Sequence, residues 1–117
     1  MSNVENENIL SKNERCQQFI ITYEEWLSNH SNKEDYTLED IIPFIDMFYK
    51  SEIADYNYME NHTLIENKNI EDLTRDEILT SLTFYVRGEN FSDDFLKNHI
   101  KGGTIDKLIK CLNERTK

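Results

Sequence analysis

The sequence predicts an all-α fold, a single compact domain of about five helices, and three observations carry that reading. Only three glycines and one proline interrupt 117 residues. Three Ser/Thr-x-x-Asp/Glu patterns stand where helices would begin. Between them, apolar residues return at steps of three and four, the period of a helix with one buried stripe. Hydrophobic residues make up 38% of the chain, a thin but workable core at this length.

The elements follow in order. Residues 1–10 carry little apolar content and are expected to fray, which leaves 11–117 as the folded unit. Ser11 and Glu14 form the first capping box, and Cys16, Phe19, Ile20, Tyr23, Trp26 and Leu27 share one helical stripe behind it. The polar run from Ser28 to Asn32 ends that helix. Thr37 and Asp40 form a second box, but Pro43 lacks the amide that a helix interior needs, so the second helix is expected to begin properly at Pro43. From Asn57 to Leu73 the period is lost and irregular structure is expected, with at most a turn of helix or a brief extended piece. Thr74 and Glu77 open a helix whose buried stripe is Ile78, Leu79, Leu82, Tyr85 and Val86. Gly88 then falls where a left-handed C-terminal cap is wanted. Ser92 caps a short helix that Gly102-Gly103 stops, and a last helix buries Ile105, Leu108, Ile109 and Leu112. The expected core is Phe19, Tyr23, Trp26, Ile45, Phe48, Leu82, Val86, Phe91, Leu96, Ile100, Leu108 and Leu112.

Charge narrows the function classes. Thirteen Lys and Arg against 23 Asp and Glu give a formal charge of -10 and a pI near 4.7. That balance excludes a protein held on nucleic acid by phosphate contacts, which requires an excess of bases. No apolar run reaches the ~18 residues of a membrane span, and the polar start does not read as a signal peptide. Two cysteines, Cys16 and Cys111, make no disulfide framework, so a reducing cytoplasm is the expected setting.

The deficit is concentrated in the chain. Residues 34–77 hold thirteen acids against Lys50, Lys68 and Arg75, so the net charge lies in the middle third. The bland reading is a solvated face that keeps a small protein soluble. The sharper one is a surface built to meet a basic partner, made of Glu34, Asp35, Glu39, Asp40, Asp46, Glu52, Asp55, Glu60, Glu66, Glu71 and Asp72. Carboxylates three and four apart on a helix stand about 5–6 Å from each other, near the spacing of phosphates along a strand. Such a surface could occupy the Lys/Arg groove of a nucleic-acid enzyme and exclude its substrate.

Tests for chemistry return little. His30, His62, His99, Cys16 and Cys111 lack metal-ligand spacing, so no metal or cofactor is expected. No nucleophile signature and no phosphate-cradling glycine loop is present, and acid pairs such as Glu24-Glu25 are uninformative in so acidic a chain. An enzyme is not expected.

One local motif is more specific. Leu82 to Phe91 reads as an apolar helix followed by Arg87-Gly88-Glu89-Asn90-Phe91, then a short helix, Gly103 and the Leu108–Leu112 helix. This order resembles an uncharacterised bacterial family of unknown function over residues 73–112. The chain departs from that family at Asn90, where the family usually has a base, and at Phe95, where it often has Gly. The resemblance implies the fold rather than an activity. On structural grounds alone, Arg87 and Glu89 could brace the corner with charge-assisted hydrogen bonds, Phe91 packing back on it.

The expectation for function is therefore a small acidic protein that acts by binding a protein with a basic surface, with no direct contact to nucleic acid or membrane. Its concrete form is an inhibitor or regulator of a nucleic-acid-handling protein, of the anti-CRISPR type carried on mobile elements. The alternative is a resident bacterial helical protein working through the Arg87–Glu89 corner. Tyr56, Tyr58 and Met59 follow a helix whose apolar face is already provided for, so they are expected to be exposed in part, as a homodimer contact or a docking surface.

Overall fold

Reciprocal capping sets the starts of the longer helices. The computed structural model describes residues 10–30, 35–90 and 94–117, and among these it contains six α-helices and no strand. Helix α1 (Lys12–His30) begins where Glu14 donates its amide to the Ser11 hydroxyl at 3.1 Å and takes the Ser11 amide on its carboxylate at 3.0 Å. The Thr37–Asp40 and Thr74–Glu77 pairs do the same for α2 (Leu38–Lys50) and α4 (Arg75–Gly88). Each box satisfies two amides that a helix start otherwise leaves without partners. Between α2 and α4 lie a short helix, α3 (Tyr58–Ile65), and a single 3-10 turn at Ile70–Asp72. The chain closes with α5 (Phe95–Lys101) and α6 (Thr104–Thr116).

The central element is α4, which packs on α3, α5 and α6 and buries Ile78, Leu79, Leu82 and Val86. Helix α6 in turn lies against α1 and α5. The α1–α2 side is aromatic: Phe19 meets Phe48 edge to face at 5.5 Å between centroids, and Trp26 meets Phe44 at 5.3 Å. Such pairs add to the area they bury. Polar bonds fix the registers. Gln17 donates to Asn113 and Thr116 across α1 and α6, and the Tyr23 hydroxyl donates to Asp106 at 2.8 Å.

Five expectations need correction or a boundary. There are six helices, not about five, because the stretch from Asn57 holds α3. That helix buries only Ile65, and one buried side chain leaves no period to read. Helix α2 begins at Leu38, not at Pro43. The capping box fixes its first turn, and the amide that Pro43 lacks lies opposite the carbonyl of exposed Glu39, which water can reach. Ile45 is half-buried, while Phe44, placed outside the expected core, is fully covered. Phe91, Ser92 and Asp93 lie outside the described residues. Finally, Gly88 is not a left-handed cap. Gly103 alone among the described glycines has positive φ, at 89°, at the start of α6.

Gly88 has a different reason to be glycine. A Cβ there would sit 2.4 Å from the ring of Phe95, so α4 and α5 meet as closely as they do only because that carbon is missing. Alanine gains ~1 kcal/mol over glycine inside a helix on propensity alone. Forcing the ring aside costs about 1–3 kcal/mol. Gly88→Ala is therefore expected to lower the Tm in a thermal melt, and a raised Tm would show that Phe95 yields freely.

Candidate functional site

Ten of the eleven acids of the expected partner surface separate into three groups. Asp40 is buried and does not belong to it: its carboxylate takes the Thr37 amide at 2.9 Å, and its Oδ1 lies 3.1 Å from His30 Nε2. It is the closing residue of a capping box, with Trp26 donating to its carbonyl at 2.9 Å. Asp55 is half-buried and equally committed, accepting from Thr80 at 2.6 Å, Asn61 at 2.9 Å and the Asn57 amide at 2.8 Å. Burial pushes its carboxyl up, but those three hydrogen bonds outweigh burial and hold it below the ordinary carboxylate range.

A second group is exposed but paired inside the chain. Asp35 lies 3.2 Å from Lys101 and 3.5 Å from Lys97; Asp46 meets Lys50 at 2.8 Å; Glu71 meets Lys107 at 2.5 Å. The bases of the C-terminal third thus neutralise part of the acidic middle. The third group is Glu39, Glu52, Glu60, Glu66 and Asp72, all exposed and without an ion pair among the described residues. Glu34 lies outside the described residues.

Two of those five free acids lie at α3, Glu60 within it and Glu66 directly after it. At 100° per residue, the outer arc of α3 carries Met59, Glu60, Thr63 and Leu64, opposite the inward side of Tyr58, Asn61 and Ile65. Tyr56, Met59 and Leu64 are 80%, 71% and 77% exposed. Tyr58, by contrast, is half-buried. A cleft opens on each flank. One, of about 420 Å³, runs under Tyr56 and Leu64 to Lys12, Asp76 and Thr80. The other, of about 320 Å³, lies between Met59, His62 and Phe84 and ends at Gly88. The His62 ring stacks on Phe84 with centroids 3.8 Å apart and planes 3° from parallel. Burial pushes the His62 pKa below its ordinary value, against a smaller upward pull from Glu66. Burial thus favours the neutral form of His62, whose ring and Phe84 make an aromatic wall for the second cleft.

At the corner after α4, Arg87 and Glu89 do not pair. The Glu89 carboxylate takes the amides of Leu96 at 2.9 Å and Asp94 at 3.3 Å, serving the first turn of α5. Asp94 itself is left-handed, with φ 67°, so the turn is made there rather than at Gly88. Arg87 turns the other way, its guanidinium carbon 5.8 Å from the centre of the Tyr58 ring. The neighbouring Tyr58 and Tyr49 phenols raise its pKa. Neither tyrosine was expected at this corner; nothing in the local sequence signals that the end of α2 and the start of α3 meet it.

Among the described residues no three His, Cys, Asp or Glu side chains converge as a metal site, and no helix is long and apolar enough to cross a membrane. Cys16 and Cys111 are free thiols, and burial pushes Cys16 up. The chain belongs to a family of unknown function, DUF6508, whose model matches residues 11–117. The match extends well beyond the residues 73–112 in which the motif resemblance lies. No curated protein and no solved structure matches the chain.

Proposed function

We propose that this protein acts by binding another protein, and that the contact is the outer surface around α3. One observation carries the reading: three large apolar side chains, Tyr56, Met59 and Leu64, stand 71–80% exposed on and beside the helix that carries Glu60 and ends at Glu66, two acids with no ion pair among the described residues. Interface cores are enriched in Tyr and Met, and a rim of one sign selects a partner of the other. The partner is a protein with a Lys- and Arg-rich surface. A surface of that kind is what a nucleic-acid-handling protein presents, so covering it would make the chain an inhibitor or regulator, the anti-CRISPR type being one form.

The variants to make are set by the free acids. Glu71 is excluded, because it is already paired with Lys107. Glu60→Lys, Glu66→Lys and Asp72→Lys combined are expected to leave the Tm nearly unchanged, since exposed unpaired charges add little stability. A partner captured from a lysate of the source organism at low salt should bind the native chain about tenfold faster than the reversed one, and the difference should shrink as salt rises. If the reversed chain binds the same partner as fast and as tightly, the acids are a solubility device and the reading falls.

A further inference from the structure

We propose that Arg87, set between Tyr49 and Tyr58, binds the oxyanion of a carboxylate or phosphate ligand. This site is separate from the outer surface of α3, and the inference does not depend on that surface meeting a partner. Four arginines occur in the chain, and three are occupied by acceptors. Arg15 donates to the carbonyls of Leu10 and Glu52, Arg75 to Asp76 and Asn13, and Arg115 to the carbonyls of Leu73 and Glu71. Among the described residues, Arg87 faces no carboxylate and no carbonyl, only two phenols. Its Nε is buried and has no hydrogen-bond partner.

That arrangement is unusual in a chain with ten more acids than bases. A buried donor on a charged group is costly to leave unsatisfied, and native proteins seldom do so without a reason. The nearest carboxylate in sequence, Glu89, is committed to the amides of Leu96 and Asp94. A guanidinium is a planar fork of donors that matches two oxygens of one carboxylate or phosphate. The two tyrosine hydroxyls can donate to the same group, and the Tyr58 face supports the cation. Arg87, Tyr49 and Tyr58 are all half-buried, so the cluster lies at the protein surface. Three helix ends assemble it: the last turn of α2, the first of α3 and the last of α4.

The test uses the native chain, isotopically labelled at arginine, with acetate and inorganic phosphate titrated separately at constant ionic strength. The Arg87 Nε–Hε resonance is expected to shift saturably with at least one of them. Saturation by acetate alone assigns a carboxylate ligand, by phosphate alone a phosphate, and by both the shared oxyanion. Arg87→Lys keeps the charge but loses the fork, and is expected to weaken the anion about tenfold, read on the Tyr58 ring protons. Tyr49→Phe with Tyr58→Phe should weaken it as well, with the thermal melt confirming a folded chain. A native resonance that moves only linearly with both anions overturns the proposal. So does saturable binding that both variants retain.

Discussion

Leu82→Ala is expected to destabilise the protein by about 2–5 kcal/mol. Leu82 is fully buried in the middle of α4, the helix that packs on α3, α5 and α6, so neighbours fixed on several sides cannot collapse into the space it leaves. A domain of this size has on the order of 5–15 kcal/mol in total. A loss at the middle of the range corresponds to a Tm roughly 15 °C lower. A thermal or urea melt reads it directly. An unchanged Tm would mean that α4 is not the centre of the core, and the whole arrangement would have to be redrawn.

Asp55→Ala is expected to be nearly as damaging, on the order of 3 kcal/mol, because three donors lose a charged acceptor together. Those donors come from α4 through Thr80, from α3 through Asn61 and from the residue just before α3 through the Asn57 amide. The loss should depend on pH, and its sign follows from the lowered pKa of the folded state. A carboxyl held below its unfolded value of about 4 stabilises fully above that pH. The contribution fades as pH falls through the folded pKa. The difference between native and Asp55→Ala proteins in urea melts should therefore be full at pH 7 and shrink steadily below pH 4. A difference that stays constant down to pH 3 would show that the charge of Asp55 contributes nothing.

Much of the architecture is legible in the residues themselves. All three capping boxes form as their patterns read, because each depends on atoms no more than three residues apart. The stripes of α1, α4 and α6 are also where their periods put them, with Leu27 and Tyr85 only half-buried, since a regular helix converts spacing directly into a face. What sequence could not give is long-range. Gly88 carries two readings, a turn or a close contact, and only the position of Phe95 decides for the contact. The acids are the same case: a count places ten surplus charges in one third of the chain, but only the folded chain pairs Asp35 with Lys97 and Lys101, or Glu71 with Lys107. Arg87 was visible as a motif residue, while its tyrosine partners come from two other helices.

Helix α3 buries one side chain, Ile65, and the Asn57 side chain makes no capping hydrogen bond at its start. Its outer residues therefore answer to almost nothing inside the protein. Met59, Glu60, Thr63 and Leu64 can each be replaced over evolutionary time with little penalty to the interior built on Phe19, Phe44 and Phe48. Drift should accordingly gather along this eight-residue stretch while the caps and the core stay fixed, so that related chains share one scaffold and differ on this face.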